Sequence, residues 1–110
     1  MTSVPSRTEQ FQALVGRQPD NELFRFSLAQ ALSADARTAE ALPHFQFCVA
    51  RKSDWMMPRI LAGKALLHLG RREEAKPLLE QALSLAVTQQ HEDPERELRA
   101  LLADLGHTTA

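Results

Sequence analysis

Cysteine is almost absent from this chain: Cys48 stands alone in 110 residues, so no intrachain disulfide framework can form and a reducing compartment is the natural setting. β-Branched aliphatics are nearly as scarce, with 5 Val and Ile against 33 Ala and Leu, a balance that favours helix and leaves little material for strands. A surplus of either charge is missing too. Thirteen basic residues against fourteen acidic ones leave a net charge of −1, which offers no basic excess to hold a phosphate backbone, so nucleic acid is not an expected partner. No apolar run of about 18 residues occurs, and Met1 to Arg7 carry no secretory-type apolar stretch. The expectation is one soluble, cytoplasmic domain over residues 1–110, with no membrane partner.

The residues that chemistry requires are also dispersed. His44, His68, His91 and His107 lie 24, 23 and 16 residues apart, with no i,i+4 histidine pair and no second cysteine to complete a zinc site. There is no phosphate loop and no pairing of nucleophile with base, so no metal, cofactor or catalytic residue is assigned and the chain reads as a non-enzyme. Cys48 falls on an apolar helix face and reads as a buried packing thiol.

What the chain does contain is a period. Shifted by thirty-four residues it overlays itself without a gap from Asp20 on Asp54 to Pro43 on Pro77. Arg25 meets Arg59, Ala31-Leu32 meets Ala65-Leu66, Arg37 meets Arg71, and Glu40-Ala41 meets Glu74-Ala75. A period of this size means units that cannot bury their own apolar faces and must stack on a neighbour.

Apolar spacing places six helices. The first runs from about Ser6 to Gly16 with Phe11, Leu14 and Val15 on one stripe, and Gly16 and Pro19 end it. Asp20 or Asn21 caps the second, which carries Leu23, Phe24, Phe26, Leu28 and Leu32 to about Ala34. Ala41, Leu42, Phe45, Cys48 and Val49 mark the inner face of the third, ending near Arg51. Ser53 or Asp54 caps the fourth, which runs through Ile60 and Leu66 to Gly70, a residue suited to the left-handed conformation. The fifth starts near Arg72 and continues through Leu78, Leu79, Ala82, Leu83, Ala86 and Val87 to about Gln90. Pro43 and Pro77 fall near the starts of their helices, where a lost backbone bond costs least, and Trp55 is left in a connection as a packing staple. Asp93-Pro94 starts the sixth as cap and first residue, with Leu98, Leu101, Leu102 and Leu105 on one face and Gly106 at its end. This last helix does not follow the period and reads as a cap over residues 94–105, with a disordered tail at 107–110.

The spacing resembles the tetratricopeptide repeat. Leu28-Ala29, Leu32, Ala41, Phe45 and Cys48 occupy its pattern positions in one copy, and Ala62-Gly63, Leu66, Ala75, Leu79 and Ala82 in the next. Phe11, Leu14 and Pro19 are in phase with Phe45, Cys48 and Ser53, which makes the first helix the second half of an earlier copy. The division is then a half repeat over 5–19, repeats over 20–53 and 54–90, and the cap. The resemblance implies an all-α solenoid of antiparallel helix hairpins wound as a right-handed superhelix. Departures occur: Arg25 and Arg59 stand where an aromatic is frequent, Leu32 and Leu66 replace Tyr, and the terminal Pro is missing from both copies. Ala29 and Gly63 fall where paired helices approach, so larger residues there should overpack.

Proteins with this repeat hold a peptide or protein on a concave wall made by the first helix of each hairpin. Carried over by position, the wall here is Leu23, Phe26, Ser27, Gln30, Ser33 and Ala34, then Met57, Ile60, Leu61, Lys64, Leu67 and His68. Its peptide-binding set would be Phe26, Gln30, Ser33, Ile60, Lys64, Leu67 and His68, a mixture of apolar and hydrogen-bonding groups that suits a peptide. One branch of the family grips the terminal carboxylate of chaperone tails, but Phe26 and Ile60 stand where its first basic residue would be, and that ligand is rejected. The alternative to peptide binding is self-association: an array this short can bury its open ends or its wall as a two-fold homodimer.

Overall fold

Serine and asparagine start the first two helices. In the computed structural model, which describes residues 4–107, α1 spans Arg7–Arg17 and Ser6 accepts the Glu9 N–H while Glu9 Oε1 accepts the Ser6 N–H, a reciprocal capping box. Asn21 Oδ1 accepts the Phe24 N–H at 3.0 Å and opens α2, Glu22–Ala34. α3 (Thr38–Arg51), α4 (Met56–His68), α5 (Arg72–Thr88) and α6 (Glu92–His107) complete an all-helical chain, with no strand among the described residues.

The two hairpin turns, α2 to α3 and α4 to α5, are copies of one another. The Arg37 N–H donates to Leu32 C=O at 2.8 Å and the Ala36 N–H to Ser33 C=O at 3.0 Å; thirty-four residues on, Arg71 bonds Leu66 at 2.8 Å and Gly70 bonds Leu67 at 3.0 Å. Each is a Schellman motif, which closes a helix by turning one residue left-handed, here Ala36 at φ 60° and Gly70 at φ 76°. Gln90 at φ 59° ends α5 in the same way, with His91 N–H on Ala86 C=O. At the start of the following helix Arg37 clasps Glu40 through two bonds of 2.7 and 2.8 Å, and Arg71 clasps Glu74 at the same distances. These exposed pairs hold both carboxyls below the usual range, and their repetition shows the period operating at the level of individual bonds.

Three helix starts and ends differ from expectation. Neither Ser53 nor Asp54 caps α4; Trp55 holds that place at φ −89°, ψ 103° with no side-chain bond. Pro58 is the third residue of α4, and the helix starts just before it, past both expected caps. α6 begins at Glu92, one residue before the expected cap Asp93, and Pro94 is again third in its helix, where no intrahelical donor is needed. His107 lies inside α6 rather than in a tail, Gly106 does not end it, and residues 108–110 fall outside the described residues. Val87, expected on the inner face of α5, is 47% exposed, because the buried row Ala75, Leu79, Ala82 and Ala86 passes about 100° to one side of it.

Each helix packs chiefly on its neighbours in sequence, α1 on α2 and so on to α5 on α6. The result is a rod of 53 × 30 × 21 Å with a radius of gyration of 15.2 Å, against about 13 Å for a globule of this length. Leu28, Leu32, Phe45, Ile60, Leu66, Leu79 and Leu98 form a continuous buried seam along it. Gly63 sets the spacing inside the second hairpin: a Cβ there would lie 2.6 Å from Leu79 Cδ2 and 2.7 Å from its Cγ. Pro43 and Pro77 are each the sixth residue of their helix, beyond the first turn, so contrary to expectation each removes an intrahelical backbone bond.

Candidate functional site: a wall of first helices

α2 and α4 each begin a hairpin, so residues thirty-four apart recur at the same point of the two helices. Leu23 and Met57, each second in its helix, are the clearest instance: both are apolar and both are exposed, at 61% and 39%. Phe26, one turn on from Leu23, is half-buried. Its ring meets Phe45 edge-on at 5.9 Å and leans on Trp55 at 4.8 Å, while the Lys52 ammonium lies 5.7 Å from the Trp55 ring. Trp55 thus links the start of α4 to α2.

The other expected wall residues are distributed differently. Ile60 is 5% exposed and belongs to the core rather than to an exposed surface. Leu67 and Leu61 are half-buried against the same core, and Ser27 is half-buried. Gln30, Ser33, Ala34, Lys64 and His68 are exposed. Gln30 lines a hollow of about 350 Å³ with Arg7, Thr8, Ala31, Ala34 and Asp35, whereas His68 lines a second one with Ala36, Arg37 and Glu40. The polar members are therefore not gathered into one cleft.

Lys64 reaches onward instead, to Glu97 of α6, with which it forms an ion pair. α6 packs on α5 as α4 packs on α3, and this pair ties it to α4. Glu97 was outside the expected set because α6 starts thirty-six residues after α4, out of phase with the period. Both partners are exposed, so the pair contributes little to stability.

The back of the molecule explains the two arginines that replace expected aromatics. The Arg25 guanidinium lies 4.4 Å from the centre of the Phe47 ring, Arg51 lies 5.4 Å from it, and Arg25 also donates to Pro19 C=O at 2.8 Å. Arg59, its counterpart, donates to Gln81 Oε1 at 3.2 Å, and Gln81 is the counterpart of Phe47. Each arginine ties a first helix to its own second helix. His44, 3.3 Å from Arg25, is held below its ordinary pKa by burial and then by that positive charge.

The nucleophile candidate is closed off. Cys48 is fully buried, its Sγ lies 3.4 Å from Glu22 C=O, and burial pushes the thiol up to about 11, with the Glu22 carboxylate adding to the shift. Among the described residues no three His, Cys, Asp or Glu side chains gather as metal ligands, and no helix is long and apolar enough to cross a membrane.

No family model matches the chain. It is 30% identical over 95 residues to DnaJ homolog subfamily C member 3 of Mus musculus; the match takes in 86% of this chain and 19% of that protein, so the chain spans about a fifth of the relative's length. Among solved structures it is similar to PcrH in complex with the chaperone binding region of PopD, with a TM-score of 0.82 at 20% identity over 91% of this chain and 76% of that one. It is similar also to protein BPP2914 from Bordetella parapertussis, solved in solution, with a TM-score of 0.77 at 25% identity over 94% and 90% of the two chains.

Proposed function

From the premise of a small tetratricopeptide-like helical protein, we propose that this chain binds a segment of another protein along the wall formed by α2, α4 and α6, and that it is a binding module rather than an enzyme. The observation that carries this reading is the matched exposure of Leu23 and Met57 at equivalent points of α2 and α4. Large apolar side chains left in water at equivalent points of two neighbouring helices are costly unless something covers them. The Lys64–Glu97 pair supplies charge of both signs further along the same wall, which would fix the direction and register of a bound segment. Support comes also from PcrH, which shares the fold and was solved with a region of PopD bound. The proposed partner is a peptide or protein segment, and the proposed setting is the cytoplasm.

Selection of binders from a displayed peptide library, followed by calorimetric titration of the best one, tests the reading. Leu23→Asp and Met57→Asp should each weaken binding at least tenfold, while Arg17→Glu, on α1 and away from the wall, should leave it unchanged. Equal affinities for all three folded variants would sink the proposal.

A further inference from the structure

The thirty-four-residue period separates what the repeat requires from what one copy adds. Arg25 and Arg59 stand at the same point and each ties its first helix to its second, so that contact belongs to the repeat. Around Arg25, however, three positions change together: His44, Phe47 and Arg51 stand where the second copy has Leu78, Gln81 and Leu85. Leu78 and Leu85 pack against the core, so the repeat accepts apolar residues at both places. The first copy sets an imidazole and a second guanidinium there instead, beside an aromatic ring. In a chain of net charge −1 this gathering of positive groups is local rather than general.

Both cations keep the capacity to bind. Arg37, Arg71, Arg96 and Arg99 each hold a carboxylate, whereas among the described residues neither Arg25 nor Arg51 does. The Glu22 carboxylate, on the same helix as Arg25, lies 3.8 Å from Lys52 Nζ. Arg25 donates through Nε to Pro19 C=O and through Nη1 to His44 Nδ1, which leaves Nη2 unused, and Arg51 makes only a long bond of 3.4 Å from Nη2 to Asp20 C=O. The two guanidiniums lie 4.4 and 5.4 Å from the centre of one ring, so they are within about 10 Å of each other, one Debye length at 0.1 M salt, and attract an anion jointly. Phe47 is half-buried and Arg51 exposed, so the group can be reached from solvent. Contact with the ring also restrains the planar forks, the condition under which arginine recognises a carboxylate in two places. We propose that Arg25, Phe47 and Arg51 form a second docking surface, separate from the wall, for an acidic segment of a partner protein. Aspartate or glutamate carboxylates meet the two guanidiniums, and an apolar neighbour in the segment rests on the Phe47 ring.

Fluorescence anisotropy with a short labelled peptide of alternating glutamate and leucine tests this, with circular dichroism to verify folding. The wild type should bind it saturably with a submillimolar dissociation constant at low salt, and more weakly as salt rises. Arg51→Glu should reduce the affinity at least tenfold. Phe47→Gln and Arg51→Leu, which install the residues of the second copy and so suit the fold, should each reduce it at least threefold. Arg17→Glu makes the same charge change at the corresponding exposed position of α1 and should have no effect, and Leu23→Asp on the wall should have none either. Amide shifts on adding the peptide should centre on Phe47 and Arg51. Absence of binding, an equal loss in Arg17→Glu, a loss in Leu23→Asp, or binding only when phosphoserine replaces the glutamates would overturn the proposal.

Discussion

Gly63 and Ala29 occupy the same point of the period, yet only the first is glycine, and the reason lies in what faces each. Leu79 leaves no room for a Cβ at Gly63, whereas Ala29 is accommodated in the first hairpin with its methyl fully buried. Gly63→Ala gains about 1 kcal/mol of helix propensity and meets overpacking of about 1–3 kcal/mol, so a net loss of about 1 kcal/mol is expected in urea unfolding. Truncating its neighbour in the double variant Gly63→Ala, Leu79→Ala should show strong coupling, since the clash disappears with the leucine. Ala36 and Gly70 give the opposite contrast: the alanine carries the left-handed strain that the glycine avoids, and no atom lies within 4 Å of a Cβ built on Gly70. Ala36→Gly should therefore stabilise by up to about 1 kcal/mol, and Gly70→Ala should destabilise by a similar amount through the backbone alone. His44 sets a pH dependence. Its folded pKa lies below its ordinary value, so the unfolded chain binds the proton more readily; the stability it contributes is complete above about pH 6.5 and falls as pH drops toward the folded value. Thermal melts of the wild type between neutral and mildly acidic pH should show this decline, and His44→Gln should flatten it.

At the level of whole helices, order and number were legible because Ala and Leu recur at helical spacing and because Gly, Pro and Asx residues punctuate them. Faces were less legible. A broad apolar arc on α4 holds both Ile60 and Met57, and only the position of the neighbouring helices decides that one is buried and the other wet. Caps were misplaced at α4 and α6, which start at Met56 and Glu92, and α6 stands two residues out of phase with the repeat. Thr8 carried no periodic signal at all, yet it is 2% exposed and its hydroxyl donates to Asp35 Oδ2 at 2.6 Å, tying α1 to the end of α2. Thr8→Val keeps the shape and deletes that bond. Hydrogen exchange should then show α1 amides opening more easily by about 1 kcal/mol while α3 and α4 are unchanged.

The molecule as a whole has no centre: its core is a seam, and each helix depends on the one before and the one after. Elongation follows from that connectivity and was implicit in the period. The repeated turns have a consequence for how such a rod can be lengthened. Backbone bonds, Arg–Glu clasp and left-handed residue are laid out alike around Arg37 and around Arg71, so the stretch from Thr38 to Arg71 enters and leaves through identical joints. A second copy of that stretch inserted after Arg71 would meet native geometry at both seams and extend the molecule by one hairpin, leaving α1 and α6 as its ends. In this respect the chain is a segmented ruler, with its division marks written in hydrogen bonds.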